Sequence, residues 1–239
     1  MKTSSKIFFG FWGAALLLIV GFIAALSSIT RAWVSPDGRQ LRDATHLTGP
    51  WKDQAIAERD FTSLRLTGAF DVTWERAADF SVTVSVPERF SDAFVARREG
   101  SALVLANRLD GRFSELALRV RIQSPSLTAI TAGRSLKLKL AGNPGPTFDV
   151  SGRGAVWIEG ACPEPVERLS VRSEGLTVLQ LKDCRLKILE LEAHGKVMID
   201  AEVTDALEGS VHGDGRIHLK GAPARQRLFN QGSVRVVTE

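Results

Sequence analysis

The chain has 239 residues, of which 44% are apolar and 24% charged, the balance of a globular protein and not of a disordered tail. Its formal net charge of +4 is small and scattered, and it has no tyrosine and only 7% aromatic residues. That excludes a basic nucleic-acid tract and an aromatic platform for stacking single strands.

The first element is an uncharged run of 19 residues, Phe8 to Leu26. As a helix it would span roughly 28 Å, close to the hydrocarbon thickness of a bilayer. Lys2 and Lys6 precede the run, so the positive-inside tendency keeps this short end in the cytoplasm and sends the rest across. Arg31, Arg39 and Arg42 on the other side weaken that argument. Residues 1–29 are read as a single-pass anchor in a bacterial inner membrane, with Trp12 and Trp33 near the two interfaces. The body then lies in the periplasm or outside the cell. The apolar core is longer than that of a signal peptide, but Ala25-Leu26-Ser27 offers a weak cleavage site. Secretion after cleavage is therefore the alternative, and a buried soluble helix a third.

Residues 30–58 show no sustained periodicity and contain the turn signals Pro36-Asp37-Gly38 and Gly49-Pro50. They are read as a linker, with one short helix near Trp51 to Glu58. From Phe61 the pattern becomes strand-like. Leu64 to Leu66, Phe70 to Glu75 and Ser81 to Val86 alternate in period two, and Pro87 ends the third strand. A mixed stretch to Arg98 suits a short helix. Strands at Leu103 to Leu105 and Leu116 to Ile122 come next, closed by Pro125. These strands are longer and less regular than the stretch from Gly133 onward, and are expected to cap its amino-terminal end.

Residues 133–236 repeat. Gly133, Gly154, Gly175, Gly195, Gly215 and Gly232 fall at intervals of 21, 21, 20, 20 and 17 residues. Most open the phrase glycine-any-apolar-any-apolar, as in Gly154-Val156-Ile158 and Gly195-Val197-Ile199; Gly133 is one residue out of register, and Gly68-Phe70-Val72 is an earlier relative. A period near 20 with an internal spacing of two predicts two short strands per repeat, joined at a glycine corner. No single repeat buries its own apolar face, so the repeats must stack. The expectation is an all-β solenoid, one coil per repeat, over 59–239; an antiparallel sandwich with evenly spaced turns is the alternative.

Cys162 and Cys184 are 22 residues apart, about one coil. Adjacent rungs of a parallel stack lie about 4.8 Å apart, within the Cα range of a disulfide. The spacing leaves open both a disulfide and two unbonded neighbours. His194 and His212 precede glycines in neighbouring coils and, with Asp214, form a weak candidate for a metal; His46 and His218 have no such setting. The reading is that no metal or cofactor is bound. Asp71, Glu75, Asp149 and Glu159 are the acids on solvent faces that a polysaccharide-cleaving enzyme would use, but no coil concentrates them. Arg134, Lys137 and Lys139 alternate with leucines, as on a solvated strand face. No nucleophile elbow, phosphate loop or dinucleotide fingerprint stands in a supporting context.

The run from Asp60 to Val72 (DFTSLRLTGAFDV) resembles the opening of the head GIN domain of bacterial autotransporter adhesins and envelope proteins. Val82 to Val86, Leu103 to Leu105, Pro125-Ser126-Leu127 and Val150-Ser151-Gly152-Arg153-Gly154 resemble its later steps. The likeness covers roughly 57–237. Where the family carries serine-glycine corners, this chain has charged residues at several, such as Glu174 and His194. The resemblance implies a right-handed β-helix exported to the envelope and carries over no catalytic residue. The expected function is a non-enzymatic binding or scaffolding module with a glycan or an envelope protein as its ligand. A polysaccharide-active enzyme and a membrane-tethered sensor are the alternatives.

Overall fold

The computed structural model describes residues 49–109, 113 and 115–239. The predicted anchor or signal over 1–29 lies outside these residues. Among the described residues no helix is long and apolar enough to cross a membrane.

The unit Pro50–Glu239 begins with strand β1 (Trp51–Ile56), followed by β2 (Ser63–Thr67), β3 (Phe70–Arg76) and β4 (Ser81–Pro87). A 3-10 turn (Glu88–Ala93) leads to β5 (Phe94–Glu99), β6 (Ala102–Asn107) and β7 (Leu118–Ser124). Then come β8 (Ala129–Ala132), β9 (Leu136–Ala141) and β10 (Thr147–Gly152), and three long strands, β11 (Val156–Glu174), β12 (Thr177–His194) and β13 (Val197–His212). Strands β14 (Gly215–Lys220), β15 (Arg225–Gln231) and β16 (Val234–Thr238) complete the chain.

These strands stack into two faces. The first runs β1-β4-β7-β3-β9, then the leading halves of β11, β12 and β13, then β14 and β16. The second runs β5-β6-β2-β8-β10, then the trailing halves of β11, β12 and β13, then β15. All rungs are parallel except β1–β4, β4–β7 and β5–β6. From Ala129 to Thr238 the chain makes about six turns of a β-solenoid.

The sequence alternation sorts residues to the inside. Leu138, Ile158, Leu179, Ile199 and Ile217 stand in one inward column of the first face, and Ile130, Val150, Val171 and Leu191 in one of the second. All are buried, and burial of this continuous column is what no single coil achieves. Among the described residues, one buried side-chain polar atom, the indole Nε1 of Trp157, has no partner, and others are paired. The indole Nε1 of fully buried Trp74 donates to Ser124 Oγ at 2.8 Å, and the buried hydroxyls of Ser173 and Thr177 bond each other across one corner.

The corner column is Gly154, Gly175, Gly195, Gly213 and Gly232. A Cβ on each of the last four would lie 2.0–3.0 Å from the carbonyl oxygen of the glycine one coil before. Gly215, predicted as a corner, is not one. It pairs with Val197 and Val234 inside the strands, and Gly213 holds the corner. The step from Val197 to Gly215 is 18 residues, shorter than the 20 or 21 of the preceding coils, and Gly213-Asp214-Gly215 offers two glycines to choose between. Gly133 stands one position before the column, where its N–H donates to Leu66 O at 2.8 Å, and Gly68 turns the β2–β3 coil against Asn107.

Three further expectations need correction. The repeats are not pairs of short strands throughout, because β11, β12 and β13 run 19, 18 and 16 residues through the corner opposite the glycines. Register shifts mark that bend, and Cys162 and Cys184, in register there, are joined by a disulfide with Cα atoms 4.5 Å apart. The expected linker does not extend to residue 58, and the short helix near Trp51 is absent. Trp51–Ile56 is a strand, because the outer edge of β4 would otherwise leave its backbone groups unpaired. The amino-terminal strands do more than cap. The β2–β3 coil sits inside the stack, between β6–β7 on one side and β8–β9 on the other.

The two ends differ. Antiparallel β1, β4 and β5 close the amino-terminal end. At the other end the two inward columns finish in Val236, which is exposed, and Leu228, which is half-buried, with Gln226 and Asn230 to either side of Leu228, opposite Leu207 and Val211. Arg225, Arg227 and Arg235 are exposed on the last two strands, the charged edge that discourages addition of another chain.

Candidate ligand-binding face

Strand β3 lies between β7 and β9 on the first face. Its inward residues Phe70, Val72 and Trp74 are buried, so Asp71 and Thr73 must point outward. Asp71 stands opposite Arg119 and Lys137, and Thr73 opposite Arg121 and Lys139. Two short side chains therefore form a floor between two rows of long cations. Trp51 and Trp157 flank the rows. The Arg119 guanidinium lies 4.9 Å from the Trp51 ring centre, and the Lys137 ammonium 5.7 Å from that of Trp157. Thr83, Ser85 and Asp53 continue the floor towards β1, with Ser85 donating to Asp53.

Several successive coils pair their own charges: Arg168 with Glu190, Arg172 with Glu192, Lys187 with Glu167, and Arg185 and Lys220 with Glu202. Arg134, which alternates in sequence with Lys137 and Lys139, bonds Glu115 at 3.0 Å. Among the described residues, Arg119, Arg121, Lys137 and Lys139 form no ion pair within 4 Å. Burial pushes the Asp71 carboxyl above the usual aspartate range, while Lys137 and Arg119 pull it back and Glu159 adds to the rise.

The predicted acids divide between the faces. Asp71, Glu75 and Glu159 share the first face, where Glu75 accepts from Gln123 at 3.0 Å, while Asp149 is on the second. Glu159 is two strands and two residues away from Asp71, a backbone separation of roughly 12 Å. The carboxyl pairs of glycosidases are about 5–9.5 Å apart, so the strand spacing does not set these two acids up as one. His194 and His212 do meet, stacked with ring centres 4.6 Å apart, but Asp214 accepts from the backbone N–H of Ser233. Among the described residues no group of three or more His, Cys, Asp or Glu is placed to hold a metal; His46 lies outside them. His218 sits between Asp200 and Glu239 at 3.3 and 3.2 Å.

The sequence shows Arg119-Val120-Arg121 and Lys137-Leu138-Lys139 as two alternating pairs. It does not show that β7 and β9 flank one strand, since β7 comes to lie on the far side of β3 only through the order of the stack.

A family model described as "Putative auto-transporter adhesin, head GIN domain" matches residues 60–223. No curated protein matches the chain. Among solved structures, a "putative adhesin" from Bacteroides fragilis superposes with a TM-score of 0.57 at 16% identity, over 80% of this chain and 97% of that one. A "putative adhesin" from Parabacteroides merdae gives 0.46 at 16% identity, over 79% and 97%. At such identity the Bacteroides likeness is one of fold. The family match spans both faces, the inserted β2–β3 coil and the glycine corners through Gly213, and on that ground the chain belongs to the head GIN domain family.

Proposed function

We propose that the protein is a non-enzymatic, adhesin-like module of the bacterial envelope, which binds through its solenoid faces. The observation that carries this reading is the first face itself. Cations, hydroxyls and indole rings from β1, β4, β7, β3, β9 and β11 are held in register over an open floor, and the nearby acids are not spaced as a catalytic pair. Solenoid surfaces of this kind suit extended ligands. Export is part of the proposal: the adhesin naming of the family and the uncharged run at Phe8 to Leu26 support it, and the chain is then tethered by that run or released by cleavage. The coils are read as right-handed, the hand that crossovers between parallel strands take in nearly all cases.

Among the described residues the core lies within Pro50–Glu239, and the full chain is the material to assay. A glycan array run beside a depolymerisation assay tests the reading. Saturable binding without release of oligosaccharides is expected. Release of oligosaccharides, lost on Asp71→Asn or Glu159→Gln, overturns it in favour of an enzyme.

A further inference from the structure

This inference rests on the binding-module reading and names its ligand. We propose that the trough over β3 is the subsite for the acid group of a linear acidic polysaccharide, with Trp157 the platform for an adjoining sugar ring.

The rows of β7 and β9 stand one rung to either side of β3, so their backbones are about 10 Å apart with Thr73 midway. Arg121 and Lys139 stand level with Thr73 on the two flanking strands. An oxyanion there takes a forked pair of N–H bonds from the guanidinium and a point charge from the ammonium. The Thr73 hydroxyl lies beneath it. Glu159 stands one rung beyond Lys139 in this row, yet among the described residues neither Arg121 nor Lys139 forms an ion pair within 4 Å.

Beyond Lys137 the row of Asp71, two residues along the strands from that of Thr73, continues through Trp157, Val178 and Met198. Val178 is covered and Met198 is 41% exposed, so the column changes within one rung from charge to a flat apolar strip. Trp157 lies two rungs and two residues from Thr73, roughly 12 Å on a diagonal. The ligand must therefore carry an acid and an apolar ring face in succession at that separation. A polysaccharide with uronic-acid units does so, because its carboxylates alternate with C–H faces that lie against indole.

The rim argues against a polymer charged at every unit. Asp71, Asp53, Glu75 and Glu159 surround the four cations on this face. They repel a dense row of phosphates. With Thr83 and Ser85 they supply the acceptors that sugar hydroxyls need.

The test is calorimetric titration of the full chain in detergent with hyaluronan, whose carboxylates stand on every second sugar, its methyl ester and single-stranded DNA at equal salt. Hyaluronan is expected to bind most tightly, and to weaken as salt rises. Arg121→Ala with Lys139→Ala lowers its affinity about tenfold or more, with an unchanged melting temperature. Asp71→Asn raises the affinity, a gain that a misfolded variant cannot imitate. Trp157→Ala weakens binding of acid and ester alike, and Arg153→Ala on the second face leaves both unchanged. Equal binding of acid and ester, DNA binding as tight as hyaluronan, or no gain from Asp71→Asn overturns the inference. Absence of any glycan binding by the unaltered chain sinks the binding-module reading itself. Glycan binding that survives the double substitution sinks only the assignment to this trough.

Discussion

Gly195→Ala is the most direct probe of how the coils are stacked. Gly195 has φ +126°, and a Cβ there would lie 2.3 Å from the carbonyl oxygen of Gly175, well inside van der Waals contact. The backbone strain of a non-glycine residue in that region is about 1–2 kcal/mol. Relief of the clash requires the two coils to separate. The corner is held by the Gly175 N–H bond to His194 O at 2.6 Å and the Gly195 N–H bond to His212 O at 2.9 Å, each worth about 1 kcal/mol. Together these give a loss of about 3–4 kcal/mol. Gly100→Ala is the control, since Gly100 also has positive φ (+62°) but nothing within 4 Å of an added Cβ; its cost is the strain alone, about 1–2 kcal/mol. Equilibrium unfolding in urea separates the two through the midpoint at constant slope. In melting temperature the contrast is roughly 6–15 °C against 2–8 °C. If Gly195→Ala costs no more than Gly100→Ala, the corner is not the close approach that fixes coil spacing.

Reduction of the Cys162–Cys184 bond, or the paired change Cys162→Ser with Cys184→Ser, opens a loop of 22 residues. It is expected to lower stability by about 3 kcal/mol through the entropy of the unfolded chain. Identical unfolding midpoints with and without reductant would show that the bond does not form in the purified protein. His218 bonds to Asp200 and Glu239, and both contacts raise its pKa above the ordinary histidine value. A histidine raised in the folded state stabilises fully below the unfolded value of about 6.5 and loses that contribution as pH rises through the folded value. His218→Gln should therefore lower the unfolding midpoint at pH 5.5 and leave it nearly unchanged at pH 9; the same loss at both pH values would refute the assignment.

The period of the later coils is legible in the sequence because each inward column is filled by residues whose chemistry repeats. Val156, Val197 and Val234 are examples, as are Ile158, Ile199 and Ile217. Register becomes ambiguous where the coil shortens. At Gly213-Asp214-Gly215 only the stack shows that the first glycine turns the corner and the second replaces a core valine. The placement of β2–β3 between β6–β7 and β8–β9 is not legible, because alternation says which side of a strand is buried and not which neighbour it has. The same limit hides the candidate site. Arg121, Thr73 and Lys139 are far apart in the chain, and they become neighbours through that interleaving. Trp51 reads as part of a linker because one amphipathic strand of six residues carries too little pattern to stand out.

The contrast between the finished ends and the uniform middle makes the length of this rod a counted quantity. Antiparallel β1, β4 and β5 close one end, and the last turn, bordered by Gln226, Asn230 and the edge arginines, ends the other. Between them each turn presents the same interface above and below. A turn inserted at the glycine corners, or one removed, would alter neither terminus and would change the reach of both faces by one increment of about 4.8 Å. Duplication and deletion of whole turns would then act on this protein as a ruler acts on its divisions, adjusting how many units of a linear partner it spans while leaving the chemistry of each division intact.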